Sequence, residues 1–274
     1  GGGAGGLMTS YVAAAVKARV TLVEQNKLGG DCLNTGCVPS KALIRSAKFL
    51  SQMARAREFG IHTARAEFDF AAVMERVQRV VQAVEPHDSI ERYTRLGVEV
   101  IEGEAKLVSP WEVEVVRHDG ATQRLTTRSI VIAAGGRPFV PPVPGLDEVG
   151  YLTSDTVWEL RELPRRLLVL GGGPIGSELA QAFARFGARV TQVQQGPRIL
   201  PREDPEVSEL VAARFRSEGI DVRTGHKAKR FIVENGEKIL IAEHADGDVR
   251  IAVDAVLLAV GRAANLQGYG LEEL

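Results

Sequence analysis

Short apolar runs alternate with stretches of helical period along the chain. Val20-Thr21-Leu22-Val23, Leu167-Leu168-Val169-Leu170 and Ala188 to Val193 are runs of strand length. Ala42 to Leu50 and Glu178 to Phe186 read as helices. From Phe68 to Glu85, apolar residues recur at Phe70, Val73, Val77, Val80, Val81 and Val84, which predicts a helix packed on its neighbour over 42–59. Val98–Ile101, Lys106–Val108 and Trp111–Val116 read as strands, with Trp111 a packing residue and Asp119-Gly120 a hairpin turn. Asn235-Gly236 and Asp246-Gly247 suggest a further meander. The longest wholly apolar runs, such as Ile130–Ala134 and Ala255–Val260, fall short of the roughly 18–20 residues of a membrane span.

An internal repeat organises these elements. Laid without gaps, residues 1–26 and 171–196 share 11 identities, among them Ala18-Arg19-Val20-Thr21 and Ala188-Arg189-Val190-Thr191. Each copy opens on glycines, Gly1, Gly3 and Gly6 in the first and Gly171, Gly173 and Gly176 in the second, then runs through a helical stretch into a strand. Glycine there permits a tight turn, close backbone approach to a pyrophosphate and helix-on-strand packing, and the helix N-terminus offers free N–H groups to phosphate. One such motif is weak; two in register, each in βαβ context, predict two dinucleotide sites. The strand-end residue separates them. Glu24 is a carboxylate suited to accept from ribose hydroxyls. Its counterpart is Gln194, a neutral amide that does not repel a 2′-phosphate, with Arg198 and Arg202 close behind. The second site is expected to take NADPH, NADH or both, with a slight lean to NADPH.

Composition narrows the class. At 274 residues the chain suggests two domains, and 45% apolar content supports a sizeable core. A balance of 34 Lys+Arg against 35 Asp+Glu argues against a nucleic-acid binder judged on bulk charge. The two cysteines lie in one segment, Gly29-Gly30-Asp31-Cys32-Leu33-Asn34-Thr35-Gly36-Cys37-Val38-Pro39-Ser40-Lys41. A bridge between them closes a tiny loop and stabilises by only about 2 kcal/mol, a poor return for a structural staple. No His or third Cys has suitable local spacing, so no metal site is expected. A helical segment comes after Cys37, and a thiolate at a helix N-terminus is stabilised by dipole and N–H groups. Redox cycling is therefore the preferred reading of the pair.

The cysteine segment resembles the redox motif of the pyridine nucleotide–disulfide oxidoreductases, which include mercuric reductase, dihydrolipoamide dehydrogenase and glutathione reductase. Gly1–Gly6 with Glu24 resembles the FAD fingerprint of that family, and Gly171–Glu178 its NAD(P)H fingerprint. Ile130-Val131-Ile132-Ala133-Ala134-Gly135-Gly136-Arg137-Pro138 resembles the strand and turn where such chains leave the FAD domain. Pro141–Gly145 resembles the linker after it, and Ala259-Val260-Gly261-Arg262 the return crossing. Residues 38–46 and the helical stretch after them look most like the mercuric reductase branch.

The resemblance implies an α/β fold with two Rossmann-like βαβ domains, parallel sheets, small β-meanders and a helical insertion. The FAD-binding domain would span 1–145, with helical segment 37–95; the NAD(P)H-binding domain would span 146–262, and 263–274 would begin the return. It implies that FAD meets Gly1, Gly3, Gly6, Glu24, Gly30, Asp31, Gly36, Gly103, Ala105, Ala134, Gly135 and Arg137. NAD(P) would meet Gly171, Gly173, Pro174, Ile175, Gly176, Gln194, Arg198 and Gly261. Cys37 would be the flavin-proximal thiol and Cys32 the interchange thiol. Lys41 would lie near the flavin and form a buried pair with Glu178. Asp31 and Ala134 depart from the family, which favours Thr at both positions.

The resemblance also implies that the strand feeding the first loop, the dimerisation domain and its acid/base residues lie outside this chain, which looks like a fragment. A full-length homodimer in the cytoplasm is expected, acting on mercuric ion or a dithiol/disulfide and on neither nucleic acid nor membrane. The histidines (His62, His87, His118, His226, His244) fall outside any matching motif and read as surface or loop residues. The rival readings are an NAD(P)H oxidase or quinone reductase with dispensable thiols, and a non-catalytic nucleotide-binding module.

Overall fold

The apolar runs become strands and the helical periods become helices in the computed structural model, which describes residues 1–274. In chain order these are α1 (Ala4–Ala15), β1 (Val20–Glu24), α2 (Gly30–Asn34), α3 (Cys37–Ala54), α4 (Phe70–Val84), α5 (Ile90–Arg95), β2 (Val98–Ser109), β3 (Glu112–Arg117), β4 (Thr122–Thr126) and β5 (Gly136–Pro138). They continue with α6 (Leu146–Val149), β6 (Arg166–Leu170), α7 (Pro174–Arg185), β7 (Arg189–Gln194), α8 (Pro205–Ser217), β8 (Asp221–Thr224), β9 (Lys227–Glu234), β10 (Glu237–Glu243), β11 (Val249–Val253), β12 (Ala255–Leu258) and β13 (Arg262–Ala264). Two units emerge: Gly1–Val38 with Arg79–Arg137 and Ala263–Leu274, and Pro39–Gln78 with Pro138–Arg262.

In the first unit, β1 pairs in parallel with β2, Val20 opposite Val98 through to Glu24 opposite Glu102. The long β2 then pairs antiparallel with β3, and β3 with β4. The β3–β4 hairpin turns at Asp119-Gly120, where Asp119 Oδ1 accepts the Ala121 N–H at 2.9 Å. Leu7 and Ala14 of α1 pack with Leu22, Tyr93 and Val98 to form the core beneath the first glycine loop. Two sequence expectations fail here. Ile130–Ala134 joins no ladder, because no strand of the chain runs alongside it, and Val131 and Ile132 are exposed. Trp111 is 61% exposed rather than packed, since it sits on the β2–β3 turn with no facing strand to cover it.

In the second unit, β12, β6, β7 and β8 form a wholly parallel sheet in that order. Leu167–Leu170 is buried throughout, as suits a parallel strand covered on both faces. Pro174 opens α7 with its fixed φ and absent N–H, which cost nothing in the first turn. An antiparallel meander, β9-β10-β11, turns at Asn235-Gly236, both at positive φ. Its Phe231, Leu240, Ile251 and Val253 share one core with Leu168, Leu170, Val193, Val256 and Leu258.

The helical segment divides differently from the expected 1–145 and 146–262 boundaries: Pro39–Gln78 groups with the second unit. Phe70 is the physical reason. Its ring centroid lies 5.9 Å from Phe183 and 5.7 Å from Phe186, at the end of α7. Arg76 Nη1 ties α4 to α3 through the Ala42 carbonyl (2.9 Å) and Ser46 Oγ (3.2 Å). Phe70, Met74 and Val77 form the buried stripe of α4, while Val73, Val80, Val81 and Val84 are half-buried.

Candidate functional site

The first glycine loop precedes α1. A Cβ on Gly6 would collide with the Gly1 carbonyl, and one on Gly1 with the Ala133 carbonyl, so the turn tolerates no side chain at either. The Gly2 N–H donates to Glu24 Oε2, and Glu24 Oε1 accepts the Asn26 N–H at 2.7 Å. Glu24 thus holds the loop in shape; its further lone pairs remain available to ribose hydroxyls. The Gly29 N–H donates to the Gly2 carbonyl at 2.8 Å. Gly30 then passes so near Gly3 that a Cβ on it would lie 2.6 Å from Gly3 Cα. The result is a cradle of bare backbone at a helix N-terminus, which fits the pyrophosphate of FAD.

The second loop repeats the pattern. A Cβ on Gly176 would collide with the Gly171 carbonyl, and one on Gly171 with the Ala259 carbonyl, whereas Gly173 faces open space. Gln194 Oε1 accepts the Gly172 N–H at 2.9 Å. The Leu200 N–H donates to the Gly172 carbonyl at 2.6 Å. Pro174 and Ile175 are exposed in the first turn of α7. Arg198 Nη2 is turned to its own loop, donating to the carbonyls of Pro201 (3.1 Å) and Glu203 (3.4 Å). The Gly261 carbonyl accepts the Phe139 N–H at 3.0 Å. One feature is absent from the first copy: Gln192 is fully buried in β7, its Nε2 donating to the Gly171 carbonyl (3.1 Å) and Ser177 Oγ (3.2 Å), its Oε1 without a partner.

Both cysteines are exposed thiols, not joined in a disulfide. Cys32 lies in α2, directly after the Gly29–Gly30 contact with the first loop, and Cys37 is the first residue of α3. The Cys32 thiol is pushed up to about 11, first by its hydrogen bond to Cys37, then by partial burial and by the charges of Cys37 and Asp88. At neutral pH the dithiol therefore keeps a proton on Cys32. Asp88 is a site residue that no local pattern in the sequence discloses. Asp31 is exposed in the first turn of α2, its carbonyl accepting the Thr35 N–H at 3.0 Å. A Cβ on Gly36 would lie 2.8 Å from that same carbonyl.

Within the first unit, Gly103 is buried in β2 opposite Arg117, and Ala105 is half-buried opposite Val115. Arg137 Nη1 donates to Asn265 Oδ1 at 2.9 Å, and Asn265 Nδ2 donates to the Ala134 carbonyl at 2.9 Å. The Gly135 carbonyl accepts the Asn265 N–H at 3.0 Å. In the second unit, Lys41 Nζ stands 2.5 Å from Glu178 Oε2. The pair is not buried as expected: the side chains are 60% and 43% exposed. Lys41 opens toward a cavity of about 210 Å³ lined also by Ile44, Gln181 and Arg185, which leaves the pair in contact with solvent.

The profile of the pyridine nucleotide-disulphide oxidoreductases matches residues 1–274. The chain belongs to that family. The chain is 37% identical to a mercuric reductase of Streptomyces lividans, over all of this chain and 58% of that protein. Identity to a dihydrolipoyl dehydrogenase of Bacillus subtilis is 34%, over 99% of this chain and 59% of that one. Among solved structures, LpdA of Mycobacterium tuberculosis superposes with a TM-score of 0.87 at 25% identity, covering 100% of this chain and 60% of LpdA. The Cu(II) complex of the HOCl-induced flavoprotein disulfide reductase RclA from Escherichia coli gives 0.82 at 29%, covering 99% and 57%. The chain thus spans a little over half the length of these proteins. The family uses FAD and NAD(P)H, and no helix here is long and apolar enough to cross a membrane.

Proposed function

We propose that this chain is the FAD- and NAD(P)H-binding part of a disulfide oxidoreductase that carries two electrons from NAD(P)H to a Cys32–Cys37 disulfide and on to substrate. The carrying observation is the placement of the two thiols beside the FAD-type loop: Cys32 lies in α2, three residues after the Gly29 N–H that bonds the Gly2 carbonyl, and Cys37 is the first residue of α3. FAD, when bound, supplies the two-electron carrier between hydride donor and disulfide. The balance is NAD(P)H + H⁺ + disulfide giving NAD(P)⁺ + dithiol.

In this reading Gly1, Gly3, Gly6 and Gly30 hold the FAD pyrophosphate and Glu24 its ribose. Gly171, Gly173 and Gly176 hold that of NAD(P)H, with Gln194 admitting either cofactor and a lean to NADPH. Lys41, steadied by Glu178, supplies positive charge to the flavin. Cys37 is the flavin-side thiol, and Cys32 holds the proton until it attacks substrate. The substrate is mercuric ion or a dithiol/disulfide; with a dithiol such as dihydrolipoamide the same path runs in reverse, dithiol + NAD(P)⁺ giving disulfide + NAD(P)H + H⁺ through the Cys32–Cys37 pair. For mercuric ion, the dithiol yields two electrons and two protons and returns to the disulfide. The whole protein is a cytoplasmic homodimer.

The test is an anaerobic NADPH titration of the oxidised, FAD-loaded chain, counting reactive thiols. Two thiols should appear per NADPH consumed, and none in Cys32→Ser. Full NADPH consumption in Cys32→Ser with a small acceptor would instead favour a flavin oxidase or quinone reductase.

A further inference from the structure

Because β6, β7 and β8 run parallel, their carboxyl ends present a row of loops: Gly171–Gly173, then Gln194–Arg198, then Gly225-His226. Ligands of open parallel sheets lie outside such strand ends. The proposed function gives the first loop to the pyrophosphate of NAD(P)H and the second to its adenosine ribose; the third is left without a role. That third loop is fastened to the second. The His226 N–H donates to the Gln194 carbonyl at 3.1 Å, and the Gly225 N–H to the Gly196 carbonyl at 2.9 Å. His226 is therefore the next neighbour of the residue at the ribose position.

The His226 ring is held rigidly. Its Nδ1 lies 2.7 Å from the Thr224 carbonyl. A carbonyl only accepts, so Nδ1 carries a hydrogen, and this bond fixes the plane of the ring. The ring stacks on His244, centroids 4.3 Å apart and planes at 21°. His244 is fixed in turn by the Asp246 N–H, 3.3 Å from its Nδ1. Both histidines are half-buried and stand outside the apolar core cluster of this unit. A flat, pre-ordered ring at this place binds a planar base with little entropic cost.

We propose that His226, backed by His244, is the platform for the adenine of NAD(P)H, receiving it by stacking on its ring face. The inference rests on the second loop being a dinucleotide site. Adenine is common to NADH and NADPH, so the platform sets affinity and not the choice between them.

The test is calorimetric binding of ADP-ribose to the 274-residue chain, with nicotinamide mononucleotide as the ligand lacking adenine. His226→Ala should weaken ADP-ribose binding about tenfold, the scale of one lost base-stacking partner. His226→Phe, which keeps a flat ring, should restore most of it, and nicotinamide mononucleotide should bind all three proteins alike. Wild-type affinity for ADP-ribose in His226→Ala overturns the platform and leaves the dinucleotide site standing. Equal losses in His226→Ala and His226→Phe also overturn it, because stacking is then not what binds. Failure of the wild-type chain to bind ADP-ribose overturns the dinucleotide reading itself.

Discussion

Residues 1–26 and 171–196 match in more than sequence: their loops are closed by the same bonds. The Gly2 N–H meets Glu24, and the Gly172 N–H meets Gln194. The Gly2 carbonyl is held by Gly29, the Gly172 carbonyl by Leu200. Ala133 presses its carbonyl on Gly1, and Ala259 presses its carbonyl on Gly171. The strand-end residue thus works first as an acceptor for the loop, a task that carboxylate and amide perform equally. The loop makes no use of that residue's charge, which in the proposed function selects the ligand. The copies part company in that charge, in the segment after the strand, and in the packing beneath the loop. Cys32 comes after the first strand and the self-bonded Arg198 after the second, while Leu22 with Leu7 underlies one loop and Gln192 with Ser177 the other.

The largest effect should come from breaking the shared geometry. Gly6→Val and Gly176→Val each drive a side chain into a backbone carbonyl that cannot yield. Each should destabilise its unit by about 3 kcal/mol, the upper end for overpacking, and abolish nucleotide binding there. Urea unfolding together with FAD and NADPH binding checks this. Loss of FAD alone in Gly6→Val and of NADPH alone in Gly176→Val would show the two sites to be independent.

The dithiol belongs to the first copy only, and its chemistry gives the next effect. Cys37 is the largest cause holding Cys32 up near 11. In Cys37→Ala the Cys32 thiolate should form at lower pH, and alkylation by iodoacetamide at pH 8 should quicken about tenfold. In the reduced wild-type chain that rate should climb steadily from pH 8 to 10. A raised thiol contributes stability that is present below its unfolded value and lost as pH rises through about 11. The reduced fold should therefore weaken in that alkaline window, more than Cys32→Ala does.

Charge at the strand end comes third. Gln194→Glu gives the second copy the acid of the first. Like charges about 4 Å apart cost roughly 1 to 4 kcal/mol from water to a protein surface. NADPH binding should accordingly fall at least about fivefold relative to NADH, with the loop intact because Glu can still accept the Gly172 N–H. Unchanged preference would place the 2′-phosphate away from residue 194.

How far the sequence discloses this molecule depends on range. The glycine loops, the strand after each, the helices over 42–50 and 70–84 and both hairpin turns are legible because each is a short pattern fixed by its own residues. Features decided by long-range packing are not. Nothing near residue 130 tells that Ile130–Ala134 finds no partner strand. Nothing near Phe70 tells that its ring meets Phe183 and Phe186, drawing 39–78 into the second unit. The motif names Lys41 and Glu178 but not their exposure. Asp88 reaches Cys32 only through folding. Spacing marks Glu24 as a ligand residue, but its hold on Gly2 escapes, because a spacing of strand and loop says nothing of which amide turns inward.

The smallest effect bears on whether the copies are equivalent beneath the loop. Gln192 Nε2 serves the Gly171 carbonyl and Ser177 Oγ, while Oε1 is buried without a partner. At the matching places Leu22 and Leu7 pack together, and the Gly1–Gly6 turn keeps its shape with no amide beneath it. Removing one member of a polar pair strands the other, whereas replacing both by apolar groups is nearly neutral. Ser177→Leu alone should cost about 2 kcal/mol by crowding the amide, and Gln192→Leu alone about 1 kcal/mol. The double variant should return to within about 1 kcal/mol of wild type, because it rebuilds the contact of the first copy and discards the orphaned oxygen. Urea unfolding followed by Trp158 fluorescence measures all three. Costs that add would mean that the second loop depends on its buried amide, and that the two copies share a shape reached by different means.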